Sequence, residues 1–207
     1  MSWSVVIAED YKMVREVFAA TVASSESYRL AAAFPTAAEA VDYCRAFPAD
    51  LVLMDVLIPG SMSGLEAARA IKAFSPGTKI IVVTSMPELS FLRQAREIGV
   101  ESFWYKEVQE QPLLELMDRT MAGASVYPDA PPPVAVGAAL SSDFTEREAA
   151  VLRELVSGES NREIAARLGI SENTVKMHVT NMLQKTGFHS RLELAVMARH
   201  LGVAIRE

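Results

Sequence analysis

Short apolar runs alternate with amphipathic stretches through the first half of the chain. WSVVIA (Trp3–Ala8), YRLAAAF (Tyr28–Phe34), DLVLM (Asp50–Met54), KIIVVT (Lys79–Thr84) and SFWY (Ser102–Tyr105) read as strands. Runs such as IIVV are continuously apolar, as expected of strands covered on both faces. Apolar residues at helical spacing fill the intervals near Met13–Ser24, Ala37–Ala46, Leu65–Phe74 and Glu88–Ile98. A fifth such stretch, near Gln111–Ala122, follows the last strand. Strands alternating with helices predict βαβ units. The expected fold of residues 1–122 is therefore α/β: a doubly wound, five-stranded parallel sheet.

The pattern then breaks. YPDAPPPVAVGAALSS, Tyr127–Ser142, carries four prolines and no apolar period. Three consecutive prolines favour an extended, semi-rigid spacer, so residues 123–142 are expected to be a linker. Beyond it the spacing is helical throughout. Thr145 and Glu148 form a capping box, and Gly158 ends that helix. A short amphipathic helix, Asn161–Leu168, stops at Gly169. Ser171 caps a third helix, Glu172–Thr186, which stops at Gly187, and Ser190 opens a fourth. Residues 143–207 thus predict a smaller, all-α, four-helix domain with a helix-turn-helix.

Composition adds little to the fold but bounds the function. No apolar run approaches the roughly 20 residues of a membrane helix, and the N-terminus lacks the features of a secretory signal. Cys44 is the chain's one cysteine, so an internal disulfide is excluded. A reducing, cytoplasmic location is the expectation. Cys44 lies on an Ala-rich helical pattern and reads as packing. The net charge of −6 argues against a general nucleic-acid binder. It resides entirely in residues 1–140, with 17 acidic and 11 basic side chains, whereas residues 141–207 carry 9 of each. An acidic front and a neutral back suggest two jobs.

Polar residues end four of the five strands. Glu9 and Asp10 follow the first, Asp55 the third, Thr84 closes the fourth and Lys106 follows the fifth. Ligands bind beyond the carboxyl ends of strands in open parallel sheets, so these groups should converge on one crevice. Clustered carboxylates repel unless a cation shares them, and oxygen ligands favour a hard ion such as Mg²⁺. Asp55 would then be placed to attack a phosphorus centre as a carboxylate nucleophile. Lys106 would neutralise the transferred oxygens, and the Thr84 hydroxyl would donate a hydrogen bond.

The set Glu9, Asp10, Asp55, Thr84 and Lys106 resembles the receiver domain of two-component response regulators over roughly residues 3–122. The resemblance implies a flavodoxin-like domain that accepts a phosphoryl group from a sensor histidine kinase onto Asp55. It implies Glu9, Asp10, Asp55 and the backbone carbonyl of Leu57 as Mg²⁺ ligands, a phosphoryl contact from the Ser85 amide, and Phe103 as the switch aromatic. In relatives that aromatic rotates inward as the threonine moves. Pro59 and Gly64 match the loop after the phosphoacceptor. That loop is one residue longer than the common pattern, with Ser61 or Met62 the extra residue, and Glu107 stands where many relatives have proline. Apolar Leu57 and Met86 replace side chains that orient the hydrolytic water in some relatives, so slow self-dephosphorylation is expected.

In the second half, Val175, Val179, Met182 and Leu183 form one apolar face, leaving Thr174, Lys176, Met177, Thr180, Asn181 and Gln184 largely off it. A helix presenting short polar groups and a lysine fits a major groove. Free N–H groups at its start, with Ser171, suit a phosphate. FTEREAAVL, NREIAARLGIS, TVKMHVTNMLQKTG and SRLELA fall in order and resemble the LuxR/NarL-type DNA-binding domain over roughly Asp143–Val203. The resemblance implies that Lys176, Met177 and Thr180 face base edges in double-stranded DNA. It places Asn173, Thr174, Lys185 and Arg191 near phosphates. Arg162 and Arg167 are further basic candidates on the preceding helix. A neutral domain implies modest affinity per protomer, so a homodimer is expected to supply avidity.

The leading expectation is a phosphorylation-dependent DNA-binding transcription regulator of the NarL/FixJ type, not an enzyme. Competing readings stay open on sequence alone. An aspartate-nucleophile phosphatase needs a second Asp two positions on, where Leu57 stands. An autoinducer sensor needs an apolar cavity instead of a carboxylate crevice. A receiver working through protein contacts without phosphorylation is the third alternative.

Overall fold

In the computed structural model, residues 2–88, 90–106 and 112–205 are described. The chain parts near Asp129 into two compact units. The first contains β1 (Trp3–Ala8), α1 (Lys12–Ala23), β2 (Tyr28–Phe34), α2 (Ala37–Ala46) and β3 (Leu51–Asp55). It continues with α3 (Gly64–Phe74), β4 (Lys79–Thr84), α4 (Phe91–Ile98), β5 (Ser102–Tyr105) and α5 (Leu113–Met121). All five strands are parallel, in the order β2-β1-β3-β4-β5.

That order follows from the pattern of burial. Val5, Ile7, Leu51, Leu53, Ile81 and Val83 pack with Phe18 and Val22 of α1 and with Leu113, Leu116 and Met117 of α5. The alternate residues Val6, Val52, Met54, Ile80 and Val82 are equally buried and point to the opposite face. There α2, α3 and α4 supply Ala40, Val41, Leu65, Ala68, Ile71, Phe91 and Leu92. Chain order reverses between β1 and β3, so a crevice opens beyond the carboxyl ends of these two strands.

Boundaries differ from expectation in instructive places. β3 reaches Asp55, one residue further than its apolar run, because Asp55 stays in register with Val83 of β4. α4 starts at Phe91 instead of Glu88, where its buried stripe of Phe91, Leu92 and Ala95 begins. The expected first residue of α5, Gln111, lies outside the described residues, as does Glu107. Cys44 is buried on α2, as its pattern suggested.

Gly64 fixes the approach of α3 to the sheet. A Cβ there would overlap the backbone carbonyl oxygen of Asp55. The Gly64 N–H donates to the Val56 carbonyl at 3.0 Å, and Ser63 and Glu66 cap the helix reciprocally. The long loop between β3 and α3 therefore still brings the helix start onto the strand end.

The second unit holds α6 (Glu146–Leu155), α7 (Asn161–Leu168), α8 (Glu172–Thr186) and α9 (Arg191–His200). Capping boxes at Thr145/Glu148 and Ser160/Glu163, and caps at Ser171 and Ser190, set the helix starts. Gly169 adopts φ 65°, a left-handed conformation costly for other residues, and turns the chain from α7 into α8. Val151, Leu152, Leu155, Ile164, Val175, Val179, Met182, Leu194 and Ala198 close one core.

The stretch read as a spacer is structured at both ends. Val126 bridges to Ser102 at the edge of β5. Residues Ala135–Val136 (β6) and Ala139–Leu140 (β7) pair as a hairpin, and Val136 is buried in the core of the helical unit. The proline run hid these contacts because isolated apolar residues, Val126 and Val136, carry them without any period.

An ion pair ties α6 to α8. Lys185 Nζ lies 2.7 Å from Glu148 Oε2, and the Thr145 N–H donates to the same oxygen at 2.8 Å. Burial pushes the Glu148 carboxyl up, but the hydrogen bonds from Lys185 and Thr145 outweigh it and hold the group below the usual glutamate value. A depressed carboxyl contributes stability above its unfolded value of about 4.3 and loses it as pH falls through the folded value. Glu148→Gln should therefore destabilise the helical unit by about 1–3 kcal/mol near neutrality. The gap should close in acid. Thermal unfolding across pH checks this, and an equal gap at neutral and acid pH contradicts it.

Candidate functional site

Backbone geometry delivers four charged side chains to one place. Glu9 leaves the end of β1 with its N–H bonded to the Phe34 carbonyl at 3.0 Å. Asp55 ends β3, and the Lys106 N–H donates to the Thr84 carbonyl at 2.9 Å, extending the β4–β5 ladder. Glu9, Asp10 and Asp55 each offer a carboxylate oxygen, all within 4.8 Å of one another. Glu9 is 1% exposed and Asp55 5%, while Asp10 faces solvent.

Lys106 stands between the two buried carboxylates. Its Nζ lies 2.6 Å from Glu9 Oε2 and 2.8 Å from Asp55 Oδ2. Burial pushes the Asp55 carboxyl up, and Glu9 and Asp10 add to the rise. Lys106 opposes them, and the balance leaves Asp55 raised to about 6. The Lys106 ammonium suffers burial as well, but Asp55 and Glu9 raise it above its ordinary value. Three carboxylates against one ammonium leave two negative charges, and an all-oxygen donor set with one solvent-facing member suits a hard divalent ion that keeps some water. The residues present thus fit Mg²⁺.

The remaining expected groups sit around this cluster with different geometry. Thr84 is buried at the end of β4, and Ser85 beside it is exposed. Leu57 is half-buried in the loop after Asp55. Phe103 is not in the crevice. It is fully buried, with its ring 5.1 Å from Tyr105 and 6.1 Å from Tyr127.

Sequence reading missed Arg15. From the first turns of α1 its Nη1 donates to the carbonyls of Glu9 at 2.6 Å and Asp10 at 3.1 Å, fixing the backbone that aims the acidic pair. A lone arginine on an exposed helical pattern gives no local signal of such a bond, which depends on the loop folding back over α1.

On the helical unit, Asn173, Lys176, Met177 and Thr180 are exposed along one side of α8, with Met177 51% exposed. Thr174 is half-buried, its hydroxyl 2.8 Å from the Ser171 hydroxyl at the cap. Two residues expected near phosphates, Lys185 and Arg191, have partners within their own unit. Lys185 is engaged with Glu148 and the Asp143 carbonyl. Arg191 donates to Asn161 Oδ1 at 3.0 Å and the Glu159 carbonyl at 2.6 Å. Both cations tie helices and loops of their own unit together. Arg167 is paired as well, with Glu154 and Glu159.

Stripping one member from a buried ionic cluster leaves the others uncompensated, typically at about 3–5 kcal/mol. Lys106→Met should lower stability by that order in metal-free protein, and adding Asp55→Asn should restore part of the loss. Denaturant unfolding of the two singles and the double checks the coupling. Strictly additive losses would show that Lys106 does not compensate Asp55.

Comparison with known proteins agrees with this geometry. Residues 5–118 match the family described as response regulator receiver domain, and residues 142–198 match the bacterial regulatory proteins of the luxR family. The response regulator protein VraR of Staphylococcus epidermidis is 30% identical, across 96% of this chain and 97% of that protein. The transcriptional regulatory protein LnrK of Bacillus subtilis is 27% identical, across 97% and 98%. RcsB from Salmonella enterica serovar Typhimurium, solved bound to a promoter with the phosphomimetic BeF3⁻, covers 95% of this chain and 98% of its own. It superposes with a TM-score of 0.65 at 19% identity, a likeness of fold. Among the described residues no helix is long and apolar enough to cross a membrane. With both halves matched in order, the chain belongs to the two-component response regulators of the NarL/FixJ type, DNA-binding transcription regulators that join a receiver to a LuxR-type helix-turn-helix domain.

Proposed function

We propose that this regulator is controlled by phosphorylation of Asp55 in residues 1–122, and that residues 143–207 grip double-stranded DNA in response. The observation that carries the reading is the convergence of Glu9, Asp10 and Asp55 oxygens within 4.8 Å at the sheet's switch point, with Lys106 bonded to Glu9 and Asp55. A phosphohistidine of a sensor kinase is the donor. An Asp55 carboxylate oxygen forms the new bond to phosphorus as the bond from phosphorus to the imidazole nitrogen breaks, and that nitrogen keeps the electron pair.

Glu9, Asp10, Asp55 and the Leu57 carbonyl would hold Mg²⁺, which supplies positive charge beside the transferred oxygens when bound. Lys106 sits ready to exchange one carboxylate contact for a phosphoryl oxygen. Thr84 contributes a hydroxyl donor and Ser85 a backbone N–H. The acyl phosphate carries about −1.5 to −2 charges where the carboxylate carried one, and it places them on three outward oxygens, so Lys106 and Thr84 are drawn toward it and the β4–β5 side repacks. Leu57, half-buried and apolar, gives an attacking water nothing to bond, which supports slow self-dephosphorylation.

For DNA, the exposed edge of α8 formed by Asn173, Lys176, Met177 and Thr180 fits a major groove, with Thr174 and the Ser171 cap at the phosphate-facing helix start. Engagement of Lys185 and Arg191 inside the unit reduces the free positive charge. Modest affinity per protomer then calls for pairing, and RcsB has been solved as dimers on DNA. A cytoplasmic location suits a partner of both kinase and genome.

With acetyl phosphate and Mg²⁺, intact-mass measurement should find one added phosphoryl group on wild type and none on Asp55→Asn. Sedimentation should show a donor-dependent rise in mass for wild type alone. Phosphorylation of Asp55→Asn to the wild-type extent would overturn the assignment.

A further inference from the structure

The first residues of the proline-rich segment are built into the receiver. Val126 pairs alongside β5: the Phe103 N–H donates to the Val126 carbonyl at 2.9 Å, and the Val126 N–H donates to Ser102 Oγ at 3.2 Å. Tyr127 follows. Its hydroxyl donates to the Val100 carbonyl at 2.8 Å, the Arg96 guanidinium of α4 lies 4.8 Å from its ring centroid, and its ring stands 6.1 Å from that of Phe103. Five separate contacts thus fix two residues on β5, α4 and the turn between them.

We infer that Tyr127 is a positioning residue that couples the switch aromatic Phe103 to the inter-domain segment, so that movement of Phe103 and release of residues 126–127 are one event. The inference rests on the phosphorylation reading above and names the element that carries its signal. Phe103 is fully buried, with Tyr105 at 5.1 Å and Tyr127 at 6.1 Å. Close-packed interiors do not let a ring shift without displacing a neighbour. Tyr105 is buried within β5, whereas Tyr127 is half-buried and its backbone belongs to no regular strand. A half-buried segment outside regular secondary structure opens at lower cost than a buried strand of the sheet. Tyr127 is therefore the neighbour that yields, and its departure unhooks Val126 from the sheet edge and lengthens the free tether between the units.

The test uses the full chain with beryllofluoride and Mg²⁺ as a phosphoryl mimic. Fluorine NMR reports occupancy of Asp55, and amide hydrogen exchange of residues 100–106 and 124–134 reports docking. Occupied wild type should exchange the Phe103 and Val126 amides about tenfold faster than free protein. Tyr127→Ala should show that fast exchange without ligand, yet give the same bound fluorine signal. Tyr127→Phe, which keeps the ring and loses only the Val100 bond, should retain most of the ligand-dependent change. Bound fluorine signal with unaltered exchange at both amides would overturn the coupling while leaving Asp55 as acceptor. Absence of the bound signal in wild type would overturn both.

Discussion

Mutual repulsion among carboxylates is the constraint around which the receiver is organised. With oxygens of Glu9, Asp10 and Asp55 inside 4.8 Å, the two buried members, Glu9 and Asp55, repel by about 3 kcal/mol at an effective dielectric near 20, while solvent screens exposed Asp10. Lys106 relieves part of this through its contacts to Glu9 and Asp55, and Arg15 pins the carbonyls beneath the acidic pair. The sheet order supplies the rest, since β1 and β3 are neighbours at the point where the winding reverses. A divalent cation shared among the three carboxylates would relieve what repulsion is left.

The helical unit solves a different electrostatic problem. Its charges nearly cancel, and several cations are engaged internally: Lys185 holds α6 to α8, and Arg191 joins α9 to the start of α7. Along the Asn173–Thr180 side of α8 the outward residues are short and polar, apart from Lys176 and Met177. Such a surface gains little from nonspecific phosphate attraction. Under the proposed function, pairing two protomers doubles the contact and would make DNA affinity depend on a switch located elsewhere.

Much of this was legible in the chain itself. Continuous apolar runs disclosed the strands, because a doubly covered sheet leaves no solvent face to alternate toward. Polar residues at the ends of those runs disclosed the crevice, and Ser/Thr caps paired with glycine stops set the helices of the second unit within a residue or two. Long-range pairings were not legible. Arg15 speaks to backbone carbonyls through a folded-back loop, and Lys185 and Arg191 looked like free cations because their partners lie 30 or more residues away. The docking of Val126 and Tyr127 was masked by neighbouring prolines that suggested an unattached spacer.

If the strand-end carboxylates form a site completed by one divalent cation, calorimetric titration of Mg²⁺ into the metal-free protein should show it. One ion should bind wild type, with binding lost in Asp55→Asn and strongly weakened in Asp10→Asn. Binding that is absent from wild type, or indifferent to both substitutions, would contradict the account.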